Sequence, residues 1–369
     1  MNNSLVINGR FVTRGVTGVE RFASEVLCCI DDLIAAGEFS GDVKLVIPPN
    51  AHCSIGLRRI EVVNYGTRQG HFWEQFDLPR FANGIDADIL NLCNTGPVFT
   101  RRNSYVVLHD AAIFAVPHAY GLKFRIVYYA MHKLFALRKK IKILTVSNFS
   151  RSELSRFLGV NENEIAVIGE SGEHILKYAC DESLLSKFNL TPKGYALIVS
   201  SRQPAKNTDF VIRAFSNALD HTIPLVIAGG SNKNIFTKNN KLECEAESHG
   251  FIYVGYVSNE QLRSLYENAS CFIFPSLYEG YGLPPQEAMC LGCPVLASNA
   301  ASLPEVCGDA ALFFDPKDEI SFRSAFQTFV HSSELRDDLG KRGLQHSSKY
   351  KWHTSARSIL QMICDDQKN

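Results

Sequence analysis

The chain has 369 residues, 46% hydrophobic and 21% charged, which suggests about two domains at roughly 100–200 residues each. Its 38 Lys and Arg balance 38 Asp and Glu, so the zero net charge excludes a chain-wide attraction to nucleic acid and leaves only local basic patches. No apolar run approaches the ~18 residues that a membrane helix needs.

"SLVING" (Ser4–Gly9) reads as a strand, and the opening "MNNSLVINGR" lacks the cationic leader and long apolar core of a signal peptide, so a cytoplasmic chain is expected. From Gly18 to Ala36 apolar residues recur at Phe22, Val26, Ile30 and Ile34, a helical spacing. Strand-like runs return at Val43–Ile47, Ile89–Cys93, Tyr105–Leu108 and Ile143–Val146, with helix-like stretches at Leu122–Arg138 and Phe149–Leu158. In the second half "YALIVSS", "IPLVIAGG", "GFIYVGYV", "CFIFP" and "PVLAS" read as strands with helices between them. In the helix "NTDFVIRAFSNAL", Val211, Phe215 and Leu219 share one face. This β/α alternation predicts mostly parallel sheets with both faces covered. The polar segment near residues 175–193 marks a boundary. It divides the chain into two Rossmann-like domains, 1–178 and 179–350, and a helical tail at 351–369 whose packing partner the sequence leaves open.

Ligands of doubly wound sheets bind beyond the carboxyl ends of the strands, so the loops there carry the chemical interest. "SSRQPAKN" follows a strand and holds Arg202 and Lys206; two cations at one strand end can neutralise a diphosphate, or they are ordinary surface bases. "SLYEGYGLPPQEAMCLG" follows the strand "CFIFP". Its prolines suit the first turn of a helix, Gly292 suits the C-terminal cap, and Gly280–Leu283 would present backbone donors to an anion. Glu287 falls near that first turn and Glu279 in the loop before it. A carboxylate can accept both hydroxyls of a vicinal diol. By spacing alone, Glu287 is equally a helix-dipole partner and Glu279 a solvated acid.

"EGYGLPPQEAM" resembles the E-x7-E signature of the retaining family 4 glycosyltransferases (glycosyltransferase group 1), which have the GT-B fold: two Rossmann-like domains facing across a cleft. "SRQPAKN" is similar to their donor-phosphate loop, "NSYVVLHDAAIFAVP" to their strand ending in His-Asp, "ILTVSNFSRSEL" to their strand–Ser–helix segment, and "GVTGVERFASEVL" to their first glycine-containing loop and helix. "HFWEQFDLP" looks like an element of bacterial mannosyltransferases that build surface polysaccharides such as lipopolysaccharide O-antigen. The resemblance spans about Asn8 to Asp315. It implies that Glu287 holds the ribose hydroxyls, Glu279 faces the donor sugar, and Arg202 and Lys206 grip the diphosphate. It implies that Gly280, Tyr281, Gly282 and Leu283 offer amides to phosphate or sugar, and that Gly18 lets the backbone approach the phosphates. His109 would sit near the transferred sugar, and Ser147 would line the cleft. Where the family has a turn like "N-G-V-D", this chain has "GESGEHI", Gly169–Ile175, to which no contact is assigned.

The expected activity is a retaining transfer of a sugar, first of all mannose from GDP-mannose, to a hydroxyl of a glycan or lipid-linked glycan. Arg202 and Lys206 would make a metal unnecessary, so no cofactor is expected. Two alternatives stay open: an epimerase or hydrolase on the same nucleotide grip, and a non-catalytic nucleotide-sugar-binding subunit. "DAD", Asp86–Asp88, matches a metal-binding pattern of another glycosyltransferase fold but reads as a turn and strand start. Eleven cysteines read as reduced thiols, and Cys290 with Cys293 as packing at a helix end. Lys123–Lys142 is basic and aromatic: Lys133, Arg138, Lys139, Lys140 and Lys142 could meet anionic lipid on the inner face of the membrane while Phe124, Tyr128 and Phe135 anchor. The same stretch equally reads as a core-facing helix with a solvated basic edge.

Overall fold

The structure is a computed structural model that describes residues 4–199, 203–216, 223–229 and 250–368. The chain divides into two compact units: Met1–Glu170 with Lys351–Asn369, and Ser171–Tyr350.

The first unit is built on seven strands: β1 (Leu5–Asn8), β2 (Val43–Ile47), β3 (Glu61–Asn64), β4 (Asp88–Asn91), β5 (Ser104–Val107), β6 (Ile141–Thr145) and β7 (Ile165–Val167). They pair in parallel in the order β3-β2-β1-β4-β5-β6-β7. Strand β3 escaped the sequence reading because it is a four-residue edge strand with largely exposed side chains, so it shows neither alternation nor a buried run. Helices α1 (Gly18–Ala35), α2 (Leu122–Ala136) and α3 (Asn148–Leu158) cross over the sheet. The basic stretch after Ala136 leaves the helix, and Lys142 lies on β6 instead of continuing the helical face.

The helix Trp352–Lys368 belongs to this unit. It buries Trp352, Ala356, Ile359 and Ile363, and the indole of Trp352 meets Phe22 of α1 edge-on at 5.8 Å. Polar ties lock its end: Tyr105 Oη donates to Asp366 (3.0 Å) and Gln367 Nε2 to Asp88 (3.0 Å). Residues 351–369 are therefore a layer of the first unit and not a separate tail. An apolar stripe on a helix must be covered, and here the covering face is distant in sequence.

The order β3-β2-β1-β4 reverses direction between β1 and β4, and a buried polar network closes that switch point. Glu74, in a π-helical turn at Trp73–Asp77, is fully buried. Its Oε1 accepts from Asn8 (2.8 Å), Arg10 Nε (3.0 Å) and Thr95 (2.8 Å), and His71 lies 3.2 Å from Oε2. Burial alone would raise its pKa; the His71 hydrogen bond, the Arg10 charge and the Asn8 and Thr95 donors outweigh it and hold the carboxyl below its ordinary range. Trp73 is buried with Nε1 donating to Tyr65 (2.8 Å), and Gln75 bridges Gly96 and Val98. "WEQ" thus folds as a clamp on the sheet's carboxyl edge.

The second unit holds β8 (Ala196–Val199), β9 (Leu225–Ala228), β10 (Phe251–Gly255), β11 (Cys271–Phe274), β12 (Val295–Ser298) and β13 (Ala311–Phe314), parallel in the order β10-β9-β8-β11-β12-β13. Alternate residues fill two cores. Ala196, Ile198, Leu225 and Ile227 join Phe210, Val211 and Phe215 on one face, while Leu197, Val226, Phe272 and Phe274 join Tyr195, Tyr266 and Met289 on the other. Burial on both faces explains the unbroken apolar runs. Strand β13, an edge strand just after a 3-10 turn, was not foreseen. Leu219 lies outside the described residues. Asp86 pairs with Arg102 in a turn and Asp88 opens β4, as a turn and strand start require. Cys293 is buried, its thiol pushed up by burial to about 12.

Candidate active site

In the second unit the strand order reverses between β8 and β11, so the loops leaving these strands flank one crevice edge. After β8 a 3-10 turn, Pro204–Lys206, carries Lys206; after β11 the loop runs to helix α6 (Leu283–Cys290), preceded in the chain by helices α4 (Thr208–Ser216) and α5 (Asn259–Asn268). The two loops are stitched by Leu277 N–H donating to Ala205 O at 2.7 Å. Lys206 Nζ then meets Glu279 Oε1 at 2.8 Å, and its ammonium stands 5.5 Å over the Phe274 ring. The cation and the first acid of the motif, read separately from sequence, form one ion pair.

Ser302 shapes the acidic loop. Its hydroxyl is shared between the carbonyls of Tyr281 (2.7 Å) and Glu279 (3.0 Å). Gly282, the N-cap of α6, has φ +110°, and a Cβ there would stand 2.7 Å from Leu303 Cδ2, so both backbone angle and space demand glycine. Pro284 and Pro285 occupy the first turn. They withdraw two of the amides a helix start offers, so an anion there would meet Leu283 and the amides of Gly280, Tyr281 and Gly282. Gly292 follows the helix with φ +65°, the C-terminal stop that its spacing predicted.

Glu287 is 8% exposed. His174 Nε2 lies 3.0 Å from Oε1, and Tyr266 Oη donates to Oε2 at 3.1 Å. Burial first, then the Glu287 charge, pushes the Tyr266 phenol well up, which keeps it a donor. Neither His174 nor Tyr266 was foreseen, because 113 and 21 residues separate them from Glu287. The one sequence signal was the unusual run Gly169–Ile175. Contacts that the sequence leaves unassigned are made there: this run supplies His174 to Glu287 and Glu170 to His109.

In the first unit His109 is buried at the end of β5. Its Nε2 donates to Leu92 O (2.9 Å) and its Nδ1 lies 3.1 Å from Glu170 Oε1, while Phe22 meets the ring edge-on at 4.8 Å. Burial opposes the imidazolium, but the Glu170 hydrogen bond and charge prevail and raise the pKa. Ser147 is the N-cap of α3, accepting from Ser150 N–H at 3.0 Å. Gly18 is the first residue of α1 and a Cβ there would meet nothing within 4 Å, so the fold itself does not require glycine. Arg202 lies outside the described residues.

The membrane anchors named from sequence are redistributed. Phe135 and Tyr128 are buried, and Lys133 donates to Phe157 O. Leu122, Phe124, Ile126, Val127, Tyr129 and Leu137 are the exposed apolar residues of this stretch. Beside its end, a cavity of about 1030 Å³ is lined by Phe72, Phe76 and Phe99 with Arg80, Arg101, Arg138, Lys139 and Lys140. No helix among the described residues is long and apolar enough to cross a membrane.

Residues 183–346 match the family model of the glycosyl transferases group 1. The chain is 34% identical over 261 residues to the O-antigen chain mannosyltransferase B of Escherichia coli, covering 68% of each protein. It is 29% identical over 244 residues to the serotype-specific mannosyltransferase WbdA of the same organism, covering 63% of this chain and 29% of that larger protein. Among solved structures it superposes on the sucrose-phosphate synthase of Thermosynechococcus elongatus with a TM-score of 0.75 at 15% identity, covering 99% of each chain. That likeness establishes the GT-B fold. The chain belongs to the glycosyl transferases group 1 and is a glycosyltransferase.

Proposed function

We propose that this glycosyltransferase moves mannose from GDP-mannose to a hydroxyl of a glycan or lipid-linked glycan in O-antigen-type polysaccharide assembly, with retention and without a metal. The observation that carries the reading is the Lys206–Glu279 pair at the β8/β11 switch point, with Glu287 about one turn into the helix that follows the acidic loop. The likeness to an O-antigen chain mannosyltransferase supports the choice of sugar and pathway. In this reading Lys206, Arg202 and the Gly280–Leu283 amides hold the diphosphate, Glu279 faces the sugar, and Glu287 accepts the ribose hydroxyls. Gly18, Ser147 and His109, all in the first unit, keep the roles that the resemblance implies for them. The bond from sugar C1 to the phosphate oxygen breaks and the bond from C1 to the acceptor oxygen forms on the same face. The acceptor proton passes to the departing phosphate, whose charge Lys206 stabilises.

A panel of nucleotide sugars tests the donor. A ligand at a hundredfold excess over its Kd stabilises by about 2.7 kcal/mol, so GDP-mannose should give the largest thermal shift. NMR of the product formed with excess chelator should show a retained anomer. Preference for another donor, an inverted product, loss of activity with chelator, or sugar released only to water would each overturn its part of the reading. Glu287→Ala is expected to weaken GDP binding roughly tenfold to a hundredfold, as hydrogen bonds to a charged group are worth about 1.5–3 kcal/mol. Calorimetric titration measures it, and unchanged affinity removes the ribose role.

Contact with an anionic bilayer belongs to the same reading, through the exposed edge of α2 and the neighbouring basic, aromatic cavity. Tyr120, Phe124 and Tyr128 stack in a column that reaches His71 at the cavity wall, joining the two surfaces. The R138E/K139E/K140E variant should lose most of its co-sedimentation with vesicles containing phosphatidylglycerol at low salt, at about 1 kcal/mol per cation near such a surface. Equal sedimentation with neutral vesicles would rule out the electrostatic contact.

A further inference from the structure

We propose that His174 and Tyr266 are positioning residues that aim the Glu287 carboxylate at the ribose, setting how strongly this enzyme prefers a ribose diol. The inference rests on the reading of Glu287 as the ribose acceptor. An ionised carboxylate offers about four lone-pair sites and no donor. His174 and Tyr266 each occupy one, from opposite oxygens. Two acceptor sites remain, the number that the two hydroxyls of a vicinal diol fill. Because the carboxylate is acceptor-only, the His174 nitrogen facing it carries the proton.

The three side chains come from three elements: the segment after β7, α5 and α6. Each is held from behind. Gly172, two residues before His174, lies so close to α6 that a Cβ there would stand 2.3 Å from the Gln286 carbonyl carbon. Gln286 donates to Val306 O at 2.8 Å, gripping the other side of the helix. Tyr266 is fully buried among the residues of the sheet face below. A Glu side chain otherwise free to rotate is thereby fixed in one orientation before any ligand arrives, the condition for a strong hydrogen bond at low entropic cost.

The test compares GDP and UDP, each with its 2′,3′-dideoxy form, by calorimetry on the full chain. In the wild type the ribose form should bind more tightly than the dideoxy form. His174→Ala and Tyr266→Phe should each cut that ratio about tenfold, the size of one hydrogen bond to a charged group. The dideoxy affinity should stay unchanged, which also reports that the site is folded. His174→Gln, which restores an N–H donor, should recover part of the ratio. A ratio unchanged in both variants, while Glu287→Ala abolishes it, would overturn the positioning role and leave the ribose reading standing. Equal losses of ribose and dideoxy affinity would mean that the two residues only support packing. A ratio that survives Glu287→Ala would overturn the ribose reading and the positioning role with it.

Discussion

Lys206→Ala is expected to slow sugar transfer about a hundredfold or more at saturating donor, the effect of removing one preorganised group aimed at developing charge. Lys206 sits on a short turn locked by Asn207, whose side chain donates to Pro316 O at 2.9 Å, and by the backbone bond to the acidic loop. Its ammonium is held by Glu279 before a diphosphate binds, so phosphate must share or replace that carboxylate. The position is thereby preset, and little reorganisation accompanies the rise of negative charge on the leaving group. The fall should appear in kcat more than in KM, because the charge on the phosphate grows as the glycosidic bond breaks. Steady-state kinetics measures it; a kcat near that of the wild type would contradict the role. Lys206→Arg should recover only part of the rate, since a planar fork does not reproduce a point charge at that distance.

Glu74→Ala is expected to destabilise the first unit by about 3–5 kcal/mol, the cost of removing one partner of a buried ion pair. Arg10 is 6% exposed and would keep its charge with Glu74 gone; Asn8 and Thr95 would each lose an acceptor in the interior. Intrinsic fluorescence isolates the effect, because the chain's two tryptophans, Trp73 and Trp352, both lie in the first unit. A urea titration followed by tryptophan emission should therefore shift its midpoint sharply. An unchanged midpoint would show that the network contributes nothing net. The sign with pH follows from the lowered carboxyl: Glu74 contributes stability above the ordinary carboxylate range, and that share is lost as pH falls towards its depressed folded pKa. Glu74→Gln should flatten this acid limb.

Much of this molecule is local and so can be read along the chain. The strands of the two sheet centres are apolar on both faces, and that alone marks them. The glycines and prolines around α6 act through φ and missing N–H groups, which is why the helix start and its stop at Gly292 were found. Glu279, Glu287 and Lys206 stand out as candidates because each follows a strand end, but spacing alone leaves their roles open and only the resemblance assigns them; the structure adds that Lys206 and Glu279 pair. Strands β3 and β13 were not legible, since both are only four residues long and carry no strong periodicity, whereas β10, also at a sheet edge, shows a longer apolar run.

The sequence by itself determined the β/α order, the two-unit plan and the family, because propensity, turn chemistry and the spacing of the acidic motif act within a few residues. The tertiary structure alone decided that Lys206 and Glu279 pair, that His174 and Tyr266 hold Glu287, that Glu170 holds His109, and that the last helix covers α1. These contacts join residues tens to hundreds of positions apart. Loop closure over such distances leaves no local pattern, and parallel crossovers bring the groups together only when the sheet order is set.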